Sequence, residues 1–121
     1  MIDVNNPVVK LCVAGTQAEF GGRIAEAHSL YRQAWESAQD DYEACIAAHY
    51  VARHQPTPET ALQWNQIALG RANAVADERV QEFYGSLYLT LGYSYELLGD
   101  LEAAQHYYAL AAALGFVHQA S

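Results

Sequence analysis

Few residues in this chain have both the type and the spacing to do chemistry. Cys45 and His49 stand one helical turn apart, so a helix could present a thiolate and an imidazole to one metal ion. His54 is one position further than a turn from His49 and fits that face less well. His106 is expected in solvent, and His118 in solvent or in the tail. There is no glycine-rich loop followed by lysine, and the only lysine is Lys10, so a mononucleotide cradle is not supported. No serine or cysteine sits in a nucleophile motif. The carboxylates Asp40, Glu43, Glu59, Asp77 and Glu78 fall at expected helix starts, where they complement the helix dipole. The expectation is no catalytic residue, no metal site and no cofactor: not an enzyme.

Those side chains must be held by a scaffold, and composition bounds it. At 121 residues, 52% of them apolar and 17% charged, the chain can bury a core in one domain spanning 1–121. Fourteen acidic residues against six basic ones give a net charge of −8. A phosphate backbone is repelled by that charge, so no nucleic-acid partner is expected, whereas encounter with a basic partner is favoured. No apolar run approaches the roughly 18–20 residues that cross a bilayer. The segment Met1 to Pro7 has neither a basic start nor an apolar stretch. No membrane and a cytoplasmic location are therefore expected. Two cysteines, Cys12 and Cys45, are too few for a disulfide framework and read as small buried apolar residues.

Six helices are expected, and no strand alternation competes with them. Asn6-Pro7 opens the first, which runs to Phe20 and stops at Gly21-Gly22. The second carries Ile24, Ala27, Leu30, Tyr31, Ala34 and Trp35 on one face and stops near Gln39. Asp40 with Glu43 resembles a capping box opening the third, which reaches about His54. Thr57-Pro58-Glu59 opens the fourth, and Asp77 caps a fifth that continues through Leu91 and Tyr95 to Leu98. Gly99-Asp100 turns the chain into the sixth, Leu101 to Leu114, with Gly115 as its stop. The short links imply antiparallel neighbours.

A period runs through these helices. Ala27, Tyr31 and Ala34 recur as Ala61, Asn65 and Ala68, and again as Ala104, Tyr108 and Ala111. The first two copies are 34 residues apart and the third follows after 43. The stretch Leu91-Gly92, Tyr95, Gly99-Asp100, Ala104, Tyr108 and Ala111, with Tyr88 upstream, closely resembles a tetratricopeptide repeat. Gly15, Gly22, Ala27, Tyr31 and Ala34 match it in the first copy, with Leu11 where an aromatic is usual. The middle copy departs from it: His49 holds the small-residue position and Asn65 the large one. Cys45 and His49 then fall on packing positions, which predicts a buried thiol and a packed histidine with one hydrogen-bond partner.

The resemblance implies an all-α, right-handed superhelix (a solenoid) of three antiparallel hairpins, at about 7–39, 40–75 and 77–115, with a tail at 116–121. It also implies a protein or peptide partner held on a concave groove lined by the first helix of each hairpin. Carried over by position, the groove shows Thr16, Glu19 and Phe20; then Tyr50, Arg53 and His54; then Tyr93, Glu96 and Leu97. Tyr50 and Tyr93 share a repeat position and form an aromatic track. Arg53, between Glu19 and Glu96, is placed either to read a carboxylate or to pair with those neighbours. Relatives that clamp the C-terminal carboxylates of chaperones use lysine, asparagine and arginine where this chain has Cys12, Thr16, Ala47, Ser86 and Thr90, so that ligand is not expected. Many such arrays end in an extra solvating helix, and none is evident here. Tyr107, Leu110, Leu114 and Phe116 would then form an apolar edge, covered by the folded tail or by a second copy in a homodimer.

Overall fold

Helix starts are set by side chains that meet the free amides of the first turn. Asn6 Oδ1 accepts from the amides of Val8 and Val9, and Pro7 begins α1 (Pro7–Phe20). Arg23 precedes α2 (Ile24–Ser37) without a side-chain cap. Asp40 Oδ1 accepts from Glu43 N at 2.8 Å and opens α3 (Asp41–Val51), while the Glu43 carboxylate reaches back to Gln39 N and to Asn6 Nδ2. Thr57 Oγ1 accepts from Thr60 N at the start of α4 (Pro58–Val75). Asp77 caps the four-residue α5 (Glu78–Gln81), α6 is Tyr84–Leu97, and Asp100 caps α7 (Leu101–Ala113). This computed structural model describes residues 4–75 and 77–116, and the described residues hold seven helices and no strand. His118 and the tail beyond Phe116 lie outside them.

The chain is all-helical as expected, but with two changes of boundary. The expected fifth helix is broken in two. At Phe83 the backbone N–H bonds Val80 O, three residues back, and the four-residue pattern resumes only with Leu87 N to Phe83 O. The break lets Phe83 turn inward onto Tyr42 of α3, with ring centroids 6.0 Å apart. The third helix also ends at Val51, not His54. Gln55 precedes Pro56, which disfavours helical backbone there, and His54 takes φ 60 to turn the chain out. Gln55 Nε2 then donates to the open Val51 carbonyl at 2.6 Å.

Helices adjacent in the chain pack together: α1 with α2, α3 with α4, and α6 with α7. The pairs are joined by α2 on α3, α1 on α3, and α4 on α6, whereas α3 makes no comparable contact with α6. Val8, Cys12, Cys45, Val51, Val80, Leu87 and Leu91 are among the fully buried side chains. Trp35 and Trp64 meet edge to face at 5.1 Å, with Arg71 over the first ring and Arg32 over the second.

Within the first pair the Tyr31 ring lies against Gly15, where any β-carbon would overlap it. The Tyr108 ring meets Gly92 in the same way in the third. Tyr31 also reaches Tyr50 of α3, at 5.3 Å between centroids, so its ring serves both its own pair and the next. No helix among the described residues is long and apolar enough to cross a membrane.

Candidate functional site

Three positions recur in each helix pair and define a local device. In the first, Gly15 accommodates Tyr31, whose hydroxyl donates to Glu19 Oε1 at 2.6 Å. In the third, Gly92 accommodates Tyr108, whose hydroxyl donates to Glu96 Oε1 at 3.3 Å. The middle pair carries His49, Arg53 and Asn65 at these places. A ring now stands on the first helix, a short amide on the second, and a cation where the others have a carboxylate.

Arg53 consequently turns away from its own pair and forks onto Glu19, with Nε to Oε1 at 2.8 Å and Nη2 to Oε2 at 2.6 Å. His54 Nε2 lies 3.4 Å from the same carboxylate. The hydrogen bonds from Arg53, joined by that of Tyr31 and opposed by partial burial, hold the Glu19 carboxyl down at about 2. Of the two roles open to Arg53, the structure shows pairing with a neighbour. Glu96 instead accepts from Tyr108.

Between the middle pair and α6 lies a cleft of about 750 Å3. Its walls are the end of α3 (His49, Ala52, Arg53), the turn from His54 to Thr57, the start of α4 (Pro58, Ala61, Asn65) and one face of α6. That face presents Leu89, Thr90, Tyr93, Ser94 and Leu97. Early termination of α3 is what opens it: α3 has 11 residues, against 14 in both α1 and α6. The lining is mostly apolar.

Asn65 is 4% exposed and its Nδ2 donates to Ser94 Oγ at 3.1 Å; Ser94 itself is buried. Asn65 Oδ1 and His49 Nδ1 are both buried without a hydrogen-bond partner among the described residues. Each such group carries a desolvation cost of about 1–3 kcal/mol. Burial, with the Arg53 charge second, pushes the His49 pKa down to about 4, so the ring is neutral near pH 7. The histidine is packed as expected, and its Nδ1 has no hydrogen-bond partner among the described residues.

The expected groove residues divide. Arg53, His54, Tyr93 and Leu97 line the cleft. Thr16 bonds the Cys12 carbonyl on α1, Glu19 is engaged by Arg53, and Phe20 stands 89% exposed at the end of α1. Tyr50 is half-buried between Tyr31 and His49, and with Cys45 it lines a smaller cavity of about 160 Å3 between α3 and α6. Tyr93, by contrast, is 53% exposed on the cleft wall, so the two tyrosines do different things.

His49, Asn65 and Ser94 were not among the expected groove residues. The departure of His49 and Asn65 from the repeat was the available signal. The Cys45 and Cys12 thiols are buried and pushed up to about 12, which keeps them protonated and unreactive. No group of three or more His, Cys, Asp or Glu residues able to hold a metal occurs among the described residues. On the expected outer edge, Tyr107 stacks on Tyr95 at 5.7 Å and Leu110 is half-buried. Leu114 is exposed, and Phe116 folds back with its ring over Gly85 of α6. No protein-family model matches the chain, and no curated protein or solved structure is detectably similar to it.

Proposed function

We propose that this chain is a protein- or peptide-binding adaptor without enzymatic activity, built as three antiparallel hairpins of tetratricopeptide type in a right-handed superhelix. In this reading α1, α3 and α6 line the concave face, and α5 is part of the insertion between the second and third hairpins. The observation that carries the reading is the apolar-walled cleft between the second and third hairpins, with Tyr93 and Leu97 exposed on its wall. Exposed aromatic and aliphatic side chains beside a pocket are the features that concentrate binding energy at interfaces. The fork of Arg53 on Glu19 supports a groove whose charges are already paired, so the partner is engaged chiefly by shape and apolar contact.

Selection of peptides from a display library on the immobilised chain tests this. The enriched peptides are expected to bind Tyr93→Ala and Leu97→Asp variants at least tenfold more weakly than the wild type, as for residues worth more than about 1 kcal/mol. Enrichment no better than on an unrelated helical protein, or equal binding to the variants, overturns the reading. Self-assembly through the last helix is a second reading, favoured by the exposure of Leu101 and Leu114. A concentration-dependent dimer in size exclusion, lost on Leu114→Glu, would support it over the first.

A further inference from the structure

We infer that the small cavity between α3 and α6 is a binding site for one free, neutral, apolar molecule of about the size of benzene or toluene. The occupant is not a peptide, so the inference does not depend on the adaptor reading. It begins from a difference between two helix contacts. Of the helices that come first in each pair, α1 packs on α3, but α3 makes no comparable contact with α6. Between α3 and α6 lies a space of about 160 Å3. Protein interiors are packed nearly as densely as organic crystals, so helices parted by such a space forfeit dispersion contacts along both walls. A molecule that restores those contacts is bound, and by binding it stabilises the fold.

Size and lining select the molecule. Apolar cavities of about 150 Å3 admit benzene. Here Ile46 and Tyr50 of α3, Leu87 of α6 and Phe83 just before it make most of the lining apolar. Cys45 adds a buried thiol, which burial keeps protonated. No carboxylate, lysine or arginine lines the space, and His49, the one base that does, is neutral near pH 7. An ion would lose its hydration there and meet no opposite charge. Ser86 is the one lining residue that is exposed, so the way in lies beside it.

Toluene and benzoate, the same ring without and with a charge, are titrated into the 15N-labelled protein at pH 7. Toluene is expected to give saturable shifts at the amides of Cys45–Tyr50 and Phe83–Leu87, and benzoate to bind at least about tenfold more weakly. Ser86→Trp, which sets an indole at the entrance, is expected to weaken toluene binding at least about tenfold; its own spectrum checks that it folds. Toluene shifts that do not saturate, or that are confined to Leu89–Leu97 on the wall of the larger cleft, overturn the inference. Equal affinity for benzoate overturns it, as does unchanged toluene binding by folded Ser86→Trp. The two wild-type titrations decide the matter alone should that variant not fold. Toluene binding without peptide enrichment would remove the adaptor reading and leave this site standing; the reverse pattern would do the opposite.

Discussion

Gly15 and Gly92 owe their identity to a neighbouring ring, not to their own backbone angles. Both sit inside helices at ordinary φ, and only the close approach of Tyr31 or Tyr108 forbids a β-carbon. Gly70 provides the internal control. It lies inside α4 with nothing within 4 Å of a built β-carbon, so its hydrogen side chain serves no packing purpose. Gly15→Ala is therefore expected to cost about 1–3 kcal/mol by overpacking against a ring with no room to retreat. Gly70→Ala is expected to gain about 0.5–1 kcal/mol through helix propensity. Urea unfolding of the two variants checks this, and a gain in both would show that propensity alone governs both sites.

Between elements, the clearest joint is the fork of Arg53, just past the end of α3, onto Glu19 of α1. The Glu19 side chain is 10% exposed and Arg53 about half exposed, so solvent screens the pair only in part. Glu19 has its carboxyl pKa lowered from 4.5 to about 2. A depressed carboxyl stabilises the fold above its unfolded value and loses that contribution as pH falls through the window from about 4.5 to about 2. Glu19→Gln is expected to cost about 1–2 kcal/mol at pH 7, after discounting for the exposed arginine, and to cost little near pH 2. Urea midpoints of wild type and variant at pH 7, 4 and 2.5 measure it; a gap that does not narrow would place the stabilisation elsewhere.

The same elements show what was readable beforehand. The caps at Asn6, Asp40, Thr57 and Asp77 are local, so residue type and spacing located them. The break at Phe83 was not readable, because the contact it permits is with a ring on α3 some forty positions away in the chain. Nor was the cleft: His49 and Asn65 were visible as departures from a pattern, but only packing shows that they leave a space instead of closing it.

At the scale of the whole molecule the joints between helix pairs are unequal. The first two pairs are joined twice, by α2 on α3 and α1 on α3, and are reinforced by Trp35 on Trp64 and by Arg53 on Glu19. The third pair is held mainly by α4 on α6, through Asn65–Ser94, Gln66–Tyr95 and Asn73–Tyr84, while a cavity of about 160 Å3 separates α3 from α6. Stability in stacked helix pairs is close to a sum of neighbouring contacts, so a thin joint marks where cooperativity can break. Native-state hydrogen exchange should then resolve two units, with the amides of α6 and α7 opening at lower free energy than those of α1 to α4. Uniform protection across all helices would show that the seam is as strong as the rest. Because the cleft straddles that seam, whatever fills it acts as a rivet: occupancy would be read as slowed exchange far along α7, in residues that never touch the ligand.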